Sequence, residues 1–496
     1  MTSKNILPVL IKTFAFSTML ISLLVSCSPN EKRLPELSDR TIDCRETFDH
    51  LVQKIDSNYI GLRYMDSFEI EEYEQHKAEY QKKLKNLQGS DCTELLTEFI
   101  DWFNDGHLFV LERPDYSESE KESIYNFTST FQKTDDELKE IMQSVSSDPI
   151  EGSWTDGNYL FYIVKEGGTL NAYTLTASDS LKKGTLVLRL ENQENKYSGT
   201  YFGYTNRPRY VTAKSYRNGD YLSIFGGIKW NRVDDDLEKL IERSDAIKDP
   251  KAARIYSLND ETVIFEIPSF SVDYVLFRDE ILNNEQLLRD AKTLIIDVRG
   301  NTGGNAIYGM FTPLYQDKDL SENQGKVLAC NDNLDYFEQL AARTPDVYSS
   351  VVERIEGSLG SVVDGPMYPR RPYVPEESNI EHVAILSDGA CASACESFLL
   401  TSKLISNRVS HFAKEPTYGM IDYTSVNMVS LNSGNQNIYF GYPTGKLSDS
   451  WYLPGYEDGY NESGILPDIQ IDRNVGDQIA FIVKYLSRQE NQVNLD

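Results

Sequence analysis

The spacing of apolar residues takes three forms along this 496-residue chain, and each form marks a different kind of element. From residue 39 to 147 the pattern is mostly helical. Thr47-Phe48-Asp49-His50-Leu51-Val52, continuing to Ile55, and Leu95-Leu96-Thr97-Glu98-Phe99-Ile100-Asp101-Trp102-Phe103 each put apolar side chains on one face at helical spacing. The second run stops at Asn104-Asp105-Gly106-His107, where an Asn-Asp-Gly sequence breaks the period, and Leu108-Phe109-Val110-Leu111 beyond it is strand-like. From 148 to 244 the period becomes two. Tyr159, Phe161 and Ile163 alternate, and Leu186–Leu190, Tyr197–Phe202 and Tyr221–Phe225 are short strands divided by Gly, Asn and Asp turns. This predicts a small antiparallel barrel or sandwich, with Trp154 filling its core. From 245 to 490, Thr262–Ile267, Thr293–Val298 and His382–Leu386 are continuous apolar runs of the kind buried on both faces. Helical stretches near 276–290, 334–342 and 393–404 separate them. The fold class expected is therefore an α/β core with a parallel or mixed sheet, preceded by a helical domain and a small all-β domain.

The first 26 residues carry Lys4 and Lys12, no acid, and an apolar stretch from Phe14 to Val25. That stretch is too short and too interrupted by Ser and Thr to span a bilayer, which takes about 20 apolar residues, and it reads as a secretory signal. Leu24-Val25-Ser26-Cys27 resembles the lipobox of bacterial lipoproteins, which makes Cys27 the expected lipid-attachment site and residues 27–38 a tether. The expected location is extracytoplasmic, in a bacterial cell envelope, anchored to a membrane facing the periplasm or the cell surface. Disulfides are then permitted. Cys44 and Cys92 both lie in the helical part and could form one; the connectivity of Cys330, Cys391 and Cys395 is not readable. Lys and Arg number 49 against 77 Asp and Glu, a formal charge of −28, with no basic block to meet phosphates, so nucleic acid is excluded as an expected partner. The five His are scattered and no CxxC pair occurs, so no metal site is expected.

The chemistry-bearing residues gather at two strand ends. At Leu294–Asn305 a strand runs into Gly300-Asn301-Thr302-Gly303-Gly304, a turn that lets backbone N–H groups converge on an anion or oxyanion. Neither phosphate-loop spacing, GxxxxGK[ST] or GxGxxG, is present. At Val383–Phe398 a second strand meets a turn and then a helix, with Ser393 between Ala392 and Ala394. Small neighbours would let a substrate carbonyl reach the hydroxyl, and the helix start favours developing negative charge. The plainer alternative is that Ser393 is a helix N-cap.

The segments LIIDVRGNTGG (Leu294–Gly304), ILSDGACASACESF (Ile385–Phe398) and GILPDIQID (Gly464–Asp472) together resemble the tail-specific, carboxyl-terminal processing serine peptidases, over residues 260–485. The resemblance implies Ser393 as nucleophile. One branch of that family pairs the serine with a lysine in a Thr-Phe-Gly-Lys-Gly-like segment. Here the matching stretch is Thr417-Tyr418-Gly419-Met420, and a thioether cannot take a hydroxyl proton. The other branch, that of the tricorn core, uses a histidine often found in Asp-x-His, which Asp105-Gly106-His107 resembles. An imidazole, with an ordinary pKa of about 6.5, can take a proton and return it near neutrality. In that branch a Glu precedes the Gly-x-x-Pro-Asp motif; Asn461 stands where it is expected and Glu462 follows. Either Glu462 supplies the carboxylate, or Asn461 orients the imidazole as an amide does in papain-like enzymes, or the triad is incomplete. The resemblance implies oxyanion donors from Gly303 or Gly304 and from Ala394, while Asp297 and Arg299 are expected to fasten the strand end.

Many such relatives carry a PDZ domain that captures a substrate C-terminus by strand addition. The β region here has no Gly-Leu-Gly-Phe-like loop, so a different barrel is expected. The expected function is a lipid-anchored serine endopeptidase with a peptide or protein substrate and no cofactor. The alternatives are a catalytically weak member binding a peptide or apolar ligand, as retinoid-binding relatives suggest, and a non-enzymatic surface module. Oligomeric state is not readable from the sequence.

Overall fold

A computed structural model describes residues 43–84, 92–113, 116–143, 146–156, 159–177, 181–193, 196–203, 208–216, 221–224, 228–233, 252–318, 325–366, 377–431, 438–461 and 463–493. The expected signal segment, Cys27, the expected tether and Glu462 lie outside the described residues.

Helices Cys44–Asn58, Ser67–Lys83 and Cys92–Asp101 come first, and the Cys44–Cys92 disulfide staples the first to the third. Phe48, Leu51, Ile55, Leu96 and Phe99 form their shared core at the i, i+3, i+4 spacing visible in the sequence. Strand β1 (Phe109–Glu112) follows. Helices Glu118–Ser129 and Asp135–Met142 do not join the first three. Their apolar residues Ile124, Phe127 and Leu138 pack instead with Leu160, Tyr173, Leu186 and Phe202 of the next region.

That region is a closed barrel of β2 (Gly152–Thr155), β3 (Leu160–Glu166), β4 (Thr169–Thr174), β5 (Leu186–Gln193), β6 (Lys196–Tyr201), β7 (Arg209–Tyr216), β8 (Tyr221–Ile224) and β9 (Ile228–Arg232). All neighbours run antiparallel, and β2 pairs β9 to close the ring. Trp154, Phe161, Leu188, Leu190, Leu222 and Trp230 are among the side chains of one buried cluster, in which the rings of Phe161 and Trp230 stack at 4.2 Å. A ring of this size is just wide enough for side chains to fill, and these fill it.

The remaining strands are β10 (Arg254–Ser257), β11 (Thr262–Glu266), β12 (Thr293–Asp297), β13 (Gly325–Leu328), β14 (Val362–Asp364), β15 (His382–Leu386), β16 (Val409–Ala413), β17 (Tyr423–Ser430), β18 (Ile438–Leu447) and β19 (Ile469–Gln470). One sheet has the order β10-β11-β12-β15-β16-β19, parallel except for β10. Its residues alternate between two cores. Phe265, Leu294, Ile296, Val383 and Ile385 meet the helices Tyr274–Asn283 and Ala394–Ile405, whereas Ile264, Ile295, Ala384 and Leu386 meet Ile482 of the helix Gln478–Val493. Burial on both faces is why these strands read as unbroken apolar runs.

The second sheet runs β1-β18-β13-β14, with β17 also on β18. Here the N-terminal part is tied to the C-terminal part: Phe109 pairs Gly441 and Glu112 pairs Ile438. His107 stands two residues before that ladder.

Candidate active site

Strands β12 and β15 are parallel neighbours, Ile296 beside Ile385, so the two Gly- and Ser-bearing turns leave the sheet at the same, carboxyl-terminal edge, where open α/β sheets place their sites. The turns are laced together. Asp388 accepts from Gly300 N (2.9 Å) and Ala390 N (3.0 Å), and Ala392 N donates to Asn301 O (3.3 Å). Burial pushes the Asp388 carboxyl up, against the two N–H donors and Arg299. Arg299 grips Asp297 through Nε (2.9 Å) and Nη2 (2.7 Å), a forked contact that fixes the end of β12.

Ser393 sits where the second turn enters the helix Ala394–Ile405, with φ 55° and ψ −115°. A non-glycine residue occupies that region only when its surroundings hold it there, and such residues cluster at functional sites. Three things hold it. Its N–H donates to Glu396 Oε2 (3.1 Å). The Cys391–Cys395 disulfide closes over it. Gly303 packs against it so closely that a Cβ there would stand 2.7 Å from Ala392 O and 3.0 Å from Ala394 N. Glu396 is fully buried and also accepts from Thr417 Oγ1 (2.6 Å), Gly419 N (2.7 Å) and Met420 N (2.8 Å). Burial raises its pKa and these four donors oppose the rise. One carboxylate thus joins the serine turn to the 417–420 segment.

His107 arrives from the other direction, on the Asn104–His107 turn ahead of β1. Its Nε2 faces Ser393 Oγ at 3.1 Å. Its Nδ1 lies 3.9 Å from Asp105 Oδ1, and that oxygen accepts the His107 backbone N–H at 2.9 Å. Asp105 is 6% exposed and His107 5%. Tyr59 from the end of the first helix donates to Asp105 Oδ2 (3.1 Å); burial, then the Asp105 charge, lifts its phenol well above the usual range. Met420 packs on the same turn, with its Sδ where a Cβ on Gly106 would be 2.5 Å away. The position compared with a lysine in the sequence is therefore a thioether packed on Gly106, the residue before His107.

The oxyanion expectation divides between the two glycines. Gly303 N–H already donates to Asn301 Oδ1 (2.9 Å), so it is committed. Phe270 bonds Gly303 O and Asn305 N as in a parallel bridge, which turns the intervening Gly304 N–H away from it. Of the expected oxyanion donors, this leaves Gly304 and Ala394, the first residue of the helix. Asn461 Oδ1 accepts from Ile421 N (3.3 Å) and Asp422 N (3.4 Å), so this oxygen serves the backbone of that segment. The contacts of Asp105 and Tyr59 around the His107 turn are not readable from the sequence, although Asp105 stands inside the Asp-x-His element.

A second Ser–His pair lies nearby. Ser387 Oγ faces His411 Nε2 at 2.7 Å, and His411 Nδ1 faces Leu466 O at 3.2 Å. Both side chains are buried, 1% and 0% exposed, so no substrate reaches them and the pair is a lock between β15, β16 and the 464–468 loop. Burial, then Lys403, lowers the His411 pKa from 6.5 to about 4. The unfolded chain then binds the extra proton first, so His411 stabilises the fold above pH ~6.5 and that contribution drains away as pH falls to ~4, by about 3 kcal/mol in all. Urea unfolding of wild type and His411→Gln across that range should show a stability difference that changes with pH. A constant difference would remove His411 as the cause.

No protein-family model and no curated protein matches the chain. Among solved structures it is similar to mature CPAF, with a TM-score of 0.43 and 13% sequence identity, over 86% of this chain and 92% of that one. It is also similar to the photosystem II D1 C-terminal processing protease (TM-score 0.38, 10% identity, 88% and 95% covered). A third is the tricorn protease (TM-score 0.38, 12% identity), of which 37% is covered by 90% of this chain. These are loose likenesses of overall shape, and what the chain can do is decided by the atoms around Ser393.

Proposed function

We propose that the protein is an extracytoplasmic, lipid-anchored serine endopeptidase acting through an acyl-enzyme on Ser393. The observation that carries this is the 3.1 Å approach of His107 Nε2 to the hydroxyl of a serine held in a strained turn at a helix start. His107 takes the hydroxyl proton as Oγ attacks a peptide carbonyl. The tetrahedral oxyanion is received by the N–H groups of Gly304 and Ala394, and the helix start adds positive potential. The intermediate collapses, the C–N bond breaks, and His107 returns its proton to the leaving amine. Water, deprotonated by the same imidazole, then attacks the ester and frees Ser393. Asp105, braced by Tyr59, steadies the imidazolium.

Met420 beside Gly106 favours the His/Ser branch over the Ser–Lys branch, since no ammonium stands at that position. Two disulfides suit an oxidising compartment outside the cytoplasm, and Leu24–Cys27 supports lipidation of Cys27. A fluorophosphonate probe tests the central reaction. It should label the wild type on the peptide containing Ser393, as read by mass spectrometry, and fail on Ser393→Ala. Absence of labelling in the wild type, or a label on another residue, would overturn the reading and leave a binding protein.

A further inference from the structure

Cys391 and Cys395 are joined across Ala392-Ser393-Ala394, so Ser393 is the middle residue of the turn the bridge closes. Both sulfurs belong to fully buried side chains. The chain's other disulfide, Cys44–Cys92, spans 48 positions, whereas this one spans four. A cross-link restrains the unfolded chain more the longer the loop it closes, so the shorter bridge contributes least to global stability. Its effect is local. It surrounds Ser393, held at positive φ beside an imidazole, and it brackets Ala394, the first residue of the helix and the oxyanion donor proposed above. Without the bridge Ser393 is free to relax to the extended geometry usual for a residue ahead of a helix, and its hydroxyl would swing off His107 Nε2. The Glu396 contact, the packing of Gly303 and the Ala392 N–H on Asn301 O would oppose that swing in part.

We propose that the Cys391–Cys395 disulfide is a positioning device for Ser393 and Ala394, so that opening it with a dithiol turns acyl transfer down. In the opening step, once the turn loosens locally and exposes the bridge, one dithiol thiolate attacks a cysteine sulfur and expels the other, which takes up a proton as a thiol. The second dithiol sulfur then closes on the first and releases the remaining thiol. Two electrons and two protons pass to the cysteines, and the reductant leaves as a cyclic disulfide. The proposal rests on the serine peptidase reading above.

The test compares oxidised full-length wild type with Cys391→Ala/Cys395→Ala, measuring the fluorophosphonate acylation rate constant, kcat and KM on a peptide, and the thermal midpoint. The double variant should acylate about 10- to 100-fold more slowly, the loss expected from misplacing a reacting atom by about 1 Å, with KM and the midpoint near wild type. Wild type treated with dithiothreitol should lose the same activity in step with alkylation at Cys391 and Cys395, and not with alkylation at Cys44 and Cys92, both mapped by mass spectrometry, and should recover it on reoxidation. This arm stands even if the double variant does not fold. Acylation at the wild-type rate in the double variant, or in wild type alkylated at both cysteines, overturns the inference and leaves the peptidase reading intact. A fall in the midpoint that tracks the fall in acylation assigns the bridge a merely structural role and also overturns it. If oxidised wild type never acylates, the underlying reading is what fails.

Discussion

Replacing His107 with alanine is expected to lower the rate of peptide hydrolysis by about 10⁴- to 10⁶-fold, the largest effect after loss of Ser393 itself. Nothing else in the described site can take the hydroxyl proton. Met420, at the position where a lysine would do so, is a thioether packed on Gly106. Glu396, the nearest buried carboxylate to the turn, already accepts four hydrogen bonds. The loss should fall on kcat, since the imidazole touches the nucleophile and not the remote parts of a substrate. The oxyanion donors survive the change, so a residual rate above that of free water should remain. Steady-state kinetics with a peptide that reports cleavage will decide it. A rate within tenfold of wild type would show that the base is some other group.

Asp105→Asn carries the second large effect, a fall of about 10³- to 10⁴-fold in kcat. The amide is nearly the same size and its one oxygen can still accept from the His107 backbone N–H, while its NH2, in place of Oδ2, can donate to the Tyr59 hydroxyl oxygen. What it loses is the negative charge facing the imidazolium formed in the transition state, at 3.9 Å in the resting geometry and behind two nearly closed side chains. Contacts of this kind shorten when substrate is bound. The paired experiment is Glu462→Gln. If Asp105 steadies the imidazole, Glu462→Gln leaves kcat near wild type; if the order of the two effects is reversed, Glu462 holds the role and Asp105 only shapes the turn.

Much of this arrangement was visible in the residues alone, for reasons that differ by element. The parallel strands announced themselves because a sheet covered on both faces tolerates no polar alternation, and β15 spans the same residues as its apolar run. Ser393 and the glycines of the first turn were legible because both segments pass from strand to turn to helix with small residues at the join. The pairing of β1 with β18 was not, since an antiparallel ladder between residues more than three hundred positions apart leaves no local mark. Helices Glu118–Ser129 and Asp135–Met142 read as part of the N-terminal helical region, yet their apolar faces find the barrel's wall, because periodicity says which face is buried and not against what. Gly303 and Gly304 are neighbours with the same sequence signal. Only the Asn301 side chain, by capturing one N–H, separates them. The bridge over Ser393 was likewise invisible, since spacing does not select among cysteine pairings.

The ladder between Phe109 and Gly441 also dictates when His107 and Ser393 can first meet. A ribosome makes His107 early and Ser393 much later, and the strand that docks the histidine's turn, β18, later still. Until residues 438–441 have emerged, the growing polypeptide lacks the strand on which β1 pairs, and the turn carrying His107 has no ladder to hold it beside Ser393.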